Sequence, residues 1–157
     1  MSNEKTALYR LLNQQAQALI EHEPDLIANM ANLSALLFNQ LPDLNWAGFY
    51  IMRNGELVLG PFQGQVACVR IAVGKGVCGT AVASGEVQLV KDVHEFPGHI
   101  ACDAASNSEI VLPLRHHGEI IAVLDIDSPQ LARFDTDDQA GLEQLIQLFE
   151  QHLAVTL

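Results

Sequence analysis

The spacing of hydrophobic residues predicts two helices near the start of the chain and one near its end. Apolar side chains recur every three or four positions over residues 5 to 20, and again after Pro24, a residue that suits the first turn of a helix. In a third such segment Asp135 can cap the helix, and Asp137 and Asp138 fall in its first turn, where the helix dipole favours negative charge. The positions expected to face the core are Leu8, Leu11, Leu12, Leu19 and Ile20, then Ile27, Met30, Leu33, Leu37 and Leu41, and finally Leu142, Leu145, Ile146, Phe149 and Leu153.

Between these helices the pattern changes to the two-residue alternation of β-strands. Over residues 45 to 52, Trp46, Gly48, Tyr50 and Met52 share one face, and Ala47, Phe49 and Ile51 share the other. Asn54 and Gly55 predict a tight hairpin turn after this strand. Further strands are predicted over 56–62, 69–73, 87–90, 109–114 and 119–127, with a short helix over 77–84. The order of elements predicts an α+β fold: an antiparallel sheet of about six strands with the N- and C-terminal helices packed on one face.

Length and composition limit what this fold can be part of. The 157 residues fit one domain, with N-terminal helices at about 5–40, the sheet and a long loop at about 45–128, and the C-terminal helix at about 135–156. A net charge of −11 argues against a nucleic-acid or anionic-membrane partner, because such sites need a basic surface. There is no apolar run of membrane-spanning length and no signal-peptide pattern, so we expect a cytoplasmic protein without a membrane partner.

The last strand places two carboxylates on one side of the sheet. Asp125 and Asp127 are predicted to lie about 7 Å apart on the face that also carries Ile121 and Val123. The opposite face is wholly apolar: Ile120, Ala122, Leu124 and Ile126.

Glu109 joins this pair only if the hairpin has the right length. With a three-residue loop over 116–118, Arg115 would pair with Glu119 and Glu109 would lie opposite Asp125, whereas a two-residue loop would turn Glu109 to the other face. Three carboxylates around a cleft suit binding an ammonium group, coordinating a metal, or holding a proton at a raised pKa. They are equally consistent with solvated acids on an exposed sheet face.

Two further motifs each allow a functional and a structural interpretation. Trp46 and Tyr50 share a strand face, so they suit an aromatic wall for a ligand, although ordinary core aromatics are the commoner case. The segment 74–79, GKGVCG, matches a nucleotide-binding glycine pattern, but its antiparallel context and the lack of an identifiable ribose-binding acid favour a simple tight entry to the short helix.

The cysteines are three in number, which does not suit a structural disulfide framework in a reducing compartment. No C-x-x-C pair occurs, so a zinc ribbon is not expected, although His94, His99 and Cys102 leave room for an assembled metal site. Cys78 lies in an apolar short helix and is expected to be a buried filler. Cys68 has no local pattern that assigns it a role.

Cys102 differs because it lies in a polar loop, residues 91 to 107, where a thiolate can meet solvent. Loops of this length inside compact domains are usually functional or disordered. Asp103 would raise the pKa of Cys102, and a protonated His94 or His99 would lower it, so the net direction stays open.

Five motifs together resemble those of a known enzyme family. The segments NWAGFY, QGQVACVRI, GKGVCG, DVHEFPGHIACDAASNSEIVLP and IAVLDIDSP are similar to those of the free methionine-(R)-sulfoxide reductases, which are built on a GAF domain. The resemblance extends from about residue 5 to the last helix. It implies a single GAF domain over residues 1–157, and a family that is typically dimeric, hence a homodimer.

The resemblance also implies roles for individual residues. Cys102 would be the nucleophile, Cys68 the resolving cysteine, and Cys78 a third thiol whose role varies within the family. The remaining site residues would be the substrate-binding and proton-donating carboxylates Glu109, Asp125 and Asp127 and the pocket aromatics Trp46 and Tyr50. The implied reaction reduces free L-methionine (R)-S-oxide through a sulfenic acid and a Cys68–Cys102 disulfide, needs no metal, flavin or nucleotide, and uses thioredoxin as reductant in the repair of oxidised free methionine.

Two alternatives remain from the residues alone. A non-catalytic GAF sensor would bind a small molecule or cyclic nucleotide and would tolerate the loss of Cys102. A thiol-based redox switch would oxidise Cys68 and Cys102 without turning over a substrate.

Overall fold

The computed structural model describes residues 3–99, 102 and 104–156. In this part of the chain, helices and strands follow the predicted order, and each boundary lies within a few residues of its prediction. The elements are α1 (Asn3–Ile20), α2 (Leu26–Gln40), β1 (Trp46–Arg53), β2 (Glu56–Gly64), β3 (Arg70–Ala72), α3 (Gly76–Ser84), β4 (Gln88–Val90), a 3₁₀ turn (Val93–Glu95), β5 (Ser108–His116), β6 (Glu119–Ser128) and α4 (Thr136–Thr156).

The strands form one antiparallel sheet in the order β3-β2-β1-β6-β5-β4. Helices α1, α2 and α4 cover one face, while α3 lies on the other face and carries the chain from one edge strand to the other. This architecture confirms the predicted α+β fold. No helix in the described ranges combines the length and hydrophobicity needed to cross a bilayer.

The core between the sheet and the three long helices follows the predicted pattern in α4 and in most of α2. In α1 the prediction was partly wrong, because Leu11 and Leu19 are 52% and 40% exposed. Their positions lie beside the buried stripe, which follows steps of three and four residues along the helix. The residues of that stripe are Tyr9, Leu12, Ala16 and Ile20. Ile27, at the start of α2, is also exposed, at 45%.

The start of α4 is fixed to α1 by a buried acid. Asp135 caps the helix as predicted, since its side chain accepts hydrogen bonds from the backbone N–H of Asp137 and Asp138 at 3.0 and 3.1 Å. Asp138 is 1% exposed and accepts hydrogen bonds from the hydroxyl of Tyr9 and the ammonium of Lys5, both at 2.7 Å. The acid predicted only to suit the helix dipole thus joins the first and last helices.

The hairpin between β5 and β6 differs from the prediction. Its turn has two residues, His117 and Gly118, with φ angles of 53° and 79°, which is the mirror-image geometry preferred in tight hairpins. The register then shifts between Leu114 and Arg115: Arg115 lies opposite Ile120, but Leu114 lies opposite Ala122. Residue 121 is therefore an extra residue on β6, that is, a β-bulge.

The bulge restores the face that the short turn would have changed. Glu109 lies opposite Asp127, so the predicted pairing of Glu109 with Asp125 was wrong, as was the three-residue loop. All three carboxylates nevertheless share one face, because the two-residue turn and the bulge each shift the pairing by one residue in the same sense, and a total shift of two residues leaves the face unchanged. Ile121 itself packs with the core under the helices rather than on the face of Asp125, which corrects the predicted alternation.

Candidate active site

Three carboxylates lie on the sheet face that the long helices leave free. Glu109 comes from β5 and Asp125 and Asp127 from β6, and the three residues are 7%, 5% and 8% exposed. The interpretation as solvated surface acids is therefore excluded. Within the described part of the chain, one carboxylate oxygen, Oδ1 of Asp125, is buried without a hydrogen-bond partner.

Burial raises the pKa values of two of these acids, Glu109 and Asp125. Burial, and then the charges of Asp125 and Asp127, raise the pKa of Glu109 well above its usual value. Burial also raises the pKa of Asp125. Glu109, whose pKa is raised by burial and by both neighbouring charges, is thus suited to hold a proton and to release it to a bound ligand.

Cys78 lies on α3 directly above this cluster. It is buried, as predicted, but its neighbours are not those of a simple apolar filler: its Sγ and carboxylate oxygens of Glu109 and Asp125 all lie within 4.8 Å of one another. Burial, and then the charges of Asp125 and Glu109, raise the pKa of its thiol well above the ordinary value. Unless a positive charge lies nearby, both effects favour the thiol of Cys78 over the thiolate.

The other two cysteines form a disulfide. Cys68 lies in the connection between β2 and β3 and Cys102 in the loop before β5, and their Cα atoms are 5.4 Å apart. Sequence reasoning reached this pairing only through the family resemblance, because the two residues are 34 positions apart and no local pattern joins them. Asp103, the acid predicted to act on Cys102, lies outside the described residues.

The two loop histidines lie near each other, with ring centroids 6.2 Å apart. Burial, and then the charge of His94, lower the pKa of His99, so His99 is not the cation that would activate Cys102. His94 contacts the side-chain oxygen of Asn107 at 3.0 Å. His94 thus contacts another residue of the loop, whereas His99 lines the cavity between the cysteines and the carboxylates.

Trp46 and Tyr50 form an aromatic wall beside the cysteines and carboxylates. Both are 2% exposed, and their rings stack with centroids 5.9 Å apart. Trp46 Nε1 donates a hydrogen bond to the carbonyl of Gln65 at 3.1 Å, and the Tyr50 hydroxyl donates to the carbonyl of Cys68 at 2.9 Å. The aromatic residues therefore also hold the backbone segment that carries Cys68.

A cavity of about 50 Å³ lies between these groups. Most of the candidate residues line it, His99 among them; of the described candidates, His94 does not, and Cys68 reaches the cavity only through its bond to Cys102 on the wall. The sequence analysis gave no role to two polar residues that also line the cavity, Lys75 and Ser106. Lys75 is the one basic residue in the glycine-rich segment 74–79, and a single positive charge in such a segment is a pattern that indicates a residue facing a ligand.

Comparison with known proteins agrees with this geometry. Residues 28–154 match the family model described as the GAF domain. The free methionine-R-sulfoxide reductase of Escherichia coli (strain K12) is 58% identical over 152 residues, which cover 97% of this chain and 92% of the relative. The enzyme of the same name from Saccharomyces cerevisiae is 43% identical, with coverage of 86% and 79%.

A solved structure extends the similarity to three dimensions. The free methionine-R-sulfoxide reductase from Neisseria meningitidis, in complex with its substrate, superposes with a TM-score of 0.93 at 43% identity, covering 99% of this chain and 93% of that one. The similarity thus includes the helices, the sheet and the loops around the cavity. The chain belongs to the free methionine-R-sulfoxide reductases, a family of oxidoreductases built on the GAF domain.

Proposed function

We propose that this protein reduces free L-methionine (R)-S-oxide to methionine, with Cys102 as the nucleophile and Cys68 as the resolving cysteine. The observation that carries the proposal is the Cys68–Cys102 disulfide on the wall of a cavity lined by buried carboxylic acids. Relatives of 58% and 43% identity that bear the name of this enzyme support it.

Each part of the substrate has a counterpart in the cavity. Free methionine sulfoxide carries an ammonium group, for which Asp125 and Asp127 supply negative charge. Its methyl group suits contact with the stacked rings of Trp46 and Tyr50. Its sulfoxide oxygen needs a proton as it leaves, and the raised pKa of Glu109 makes that residue the donor in our proposal.

The chemistry uses two thiols and one sulfoxide. The Cys102 thiolate attacks the sulfoxide sulfur while a carboxylic acid protonates the oxygen, and methionine leaves with a sulfenic acid formed on Cys102. The Cys68 thiolate then attacks that sulfur, and the sulfenic oxygen departs as water after taking up a proton. Two electrons pass from the two thiols to the sulfoxide, and the disulfide is the oxidised product.

Selectivity for the free amino acid follows from the buried acids. A methionine sulfoxide within a polypeptide has no free ammonium group on that residue, so its binding would leave buried carboxylates without a counter-charge. The loss of binding free energy is large because the carboxylates are buried away from water. Discrimination against peptide-bound substrate of at least about a hundredfold in kcat/KM is expected.

Renewal of the enzyme requires an external dithiol. Thioredoxin has a sufficiently low reduction potential, and we propose it as the donor, acting in a cytoplasm that keeps the enzyme in its dithiol form.

The exposed Leu11 and Leu19 on α1 support a homodimer formed through the helical side. Sedimentation analysis tests this assembly, and a monomer at micromolar concentration would contradict it.

The decisive experiment follows methionine release from the separate R and S epimers of free methionine sulfoxide. The enzyme is first reduced, and then recycled by thioredoxin and its reductase. We expect turnover of the R epimer, no turnover with Cys102→Ser, and one equivalent of methionine per enzyme with Cys68→Ser in the absence of reductant. Equal thermal unfolding temperatures establish that the variants are folded.

The possible failures have distinct meanings. If folded, reduced protein turns over neither epimer, the reductase proposal is wrong and a ligand-binding GAF module is left. If Cys102→Ser retains full turnover, the assignment of the nucleophile is wrong although the activity stands. If dithiothreitol supports turnover and thioredoxin does not, only the physiological donor needs revision.

A further inference from the structure

The cluster formed by Cys78, Glu109 and Asp125 contains a buried thiol, that of Cys78, to which the proposed reaction gives no role. One donor atom from each side chain, the Sγ and two carboxylate oxygens, lies within 4.8 Å of the other two. The three residues are buried and come from three different elements, α3, β5 and β6. A helix and two paired strands hold the donors more rigidly than a loop would, which favours a site of defined geometry.

A second observation points to a ligand at this place. Oδ1 of Asp125 has no hydrogen-bond partner among the described residues, although Asp125 is only 5% exposed. A buried acceptor left in this way is costly unless something binds to it. Asp125 lines the cavity together with Cys78 and Glu109, so a ligand in the cavity can contact all three.

The spacing of the donors suits a metal ion. Bond lengths of about 2.3 Å to sulfur and about 2.0 to 2.2 Å to oxygen place the ligand atoms of one tetrahedral zinc ion about 3.4 to 3.6 Å apart. Since the donor atoms of the cluster lie within 4.8 Å of one another, an approach of at most about 1.4 Å brings them to that spacing. The cavity of about 50 Å³ has room for the ion and for a water molecule as fourth ligand.

We propose that Cys78, Glu109 and Asp125 form a binding site for a thiophilic divalent cation of the Zn²⁺ class. The sulfur donor selects against Mg²⁺ and Ca²⁺, which take oxygen ligands in larger numbers. The site binds a cation that blocks the cavity; it holds no cofactor of the reaction. Because Asp125 also serves the substrate ammonium group in the proposed function, the cation and the substrate exclude one another, and this consequence alone rests on that function.

The disulfide form of the protein allows a direct test of the site. The chain has three cysteines, and with Cys68 and Cys102 bonded, Cys78 is the remaining thiol. Co²⁺ serves as the probe, because a sulfur-to-cobalt charge-transfer band appears only when a thiolate binds the ion. Co²⁺ bound to surface histidines does not produce this band. We expect this band in the native disulfide form, no band in Cys78→Ser, and at least tenfold weaker Co²⁺ binding in Asp125→Asn.

Two control variants test whether the cobalt band and the Co²⁺ affinity come from the proposed site. Glu95→Gln removes an exposed acid of the nearby 3₁₀ turn and should leave Co²⁺ affinity within twofold. The double variant Cys68→Ser with Cys102→Ser keeps Cys78 as its one thiol and should retain the band. A folded native protein that shows no band at saturating Co²⁺, or a band that persists in Cys78→Ser, overturns the proposal.

Displacement of the cation by substrate tests separately whether the two ligands exclude one another. Free methionine (R)-sulfoxide added to the double variant should abolish the cobalt band, since both ligands need Asp125. If the band is present but the substrate leaves it unchanged, the cation site stands and the proposed substrate position is wrong. If the band is absent while the native enzyme turns over substrate, the cation site is wrong and the proposed function stands.

Discussion

Replacing Glu109 by Gln should make the protein more stable and much less active. Glu109 is 7% exposed and lies opposite Asp127 on the neighbouring strand. Its pKa is raised well above the usual 4.5, first by burial and then by the charges of Asp125 and Asp127. Gln has nearly the same shape, cannot ionise, and offers an amide N–H₂ that donates to the two aspartates.

The sign of the stability change depends on pH. Below pH 4.5 the carboxyl group of Glu109 is protonated in the folded and unfolded states alike, so Glu109 adds no pH dependence there. As the pH rises, the unfolded chain releases this proton while the folded protein retains it. The free energy of unfolding therefore falls with rising pH, until the folded carboxyl group itself ionises.

The magnitude follows from the same linkage. Each unit by which the folded pKa exceeds the unfolded one lowers the free energy of unfolding by about 1.4 kcal/mol at a pH above both values. A gain of at least about 1 kcal/mol is expected for Glu109→Gln at pH 8, which raises the unfolding temperature of a domain of this size by about 2 to 4 °C. Turnover should fall by roughly a hundredfold or more, because the proposed general acid is lost.

The assay compares thermal unfolding of the disulfide form at pH 4.5 and pH 8 for the native protein, Glu109→Gln and the exposed control Glu95→Gln. We expect the gain of Glu109→Gln to appear at pH 8 and to shrink at pH 4.5, while the control changes little at either pH. If Glu109→Gln is instead destabilised by a similar amount at both pH values, Glu109 is ionised and paired in the folded protein. The account of the acid cluster would then be wrong.

Three further predictions concern the fold and the aromatic wall. Asp138→Asn should lower the free energy of unfolding in urea by roughly 3 kcal/mol, since it weakens a buried charged pair, whereas the exposed Glu4→Gln should change it by less than about 0.5 kcal/mol. Gly141→Ala should cost about 1 to 3 kcal/mol in the same experiment, because the new Cβ would overlap the ring of Tyr9; an unchanged midpoint would contradict the packing of α1 on α4. Trp46→Leu should reduce kcat/KM by about 2- to 10-fold, mainly through KM, and a loss confined to kcat would argue against a role in substrate binding.

The faces of the strands could be predicted from the sequence, but the register between them could not. The alternation in β1 placed Trp46 and Tyr50 correctly, because side-chain direction in a regular strand depends on local geometry alone. The position of Glu109 depended on the hairpin, where a two-residue turn and a bulge at Ile121 each shift the register by one residue, two residues in total. Neither the two-residue turn nor the bulge has a distinctive residue pattern in the sequence. The face of Glu109 was therefore predicted correctly, although the predicted loop length and the predicted pairing with Asp125 were wrong.

Long-range contacts explain the other differences. The local pattern around Leu11 is that of an ordinary apolar helix position. The pattern around Asp138 is that of an ordinary acid in the first turn of a helix. Which side of α1 is buried, and whether Asp138 is solvated, depends on how α1 and α4 pack together. The contact between Cys68 and Cys102 likewise depends on the loops folding over the sheet, and the residues alone carried no trace of it.

The Cys68–Cys102 bond also changes how firmly the chain is held together. It closes a segment of 34 residues, and a crosslink of that span restricts the unfolded chain by about 4 kcal/mol in the loop-entropy model. Opening the bond removes that restraint. The protein is therefore more resistant to unfolding in its disulfide form than in its reduced form, which is the form that reacts in the proposed cycle. Proteases that cleave unfolded chains would act preferentially on the reduced form, so under the proposed function an abundant supply of oxidised methionine would prolong the lifetime of the protein.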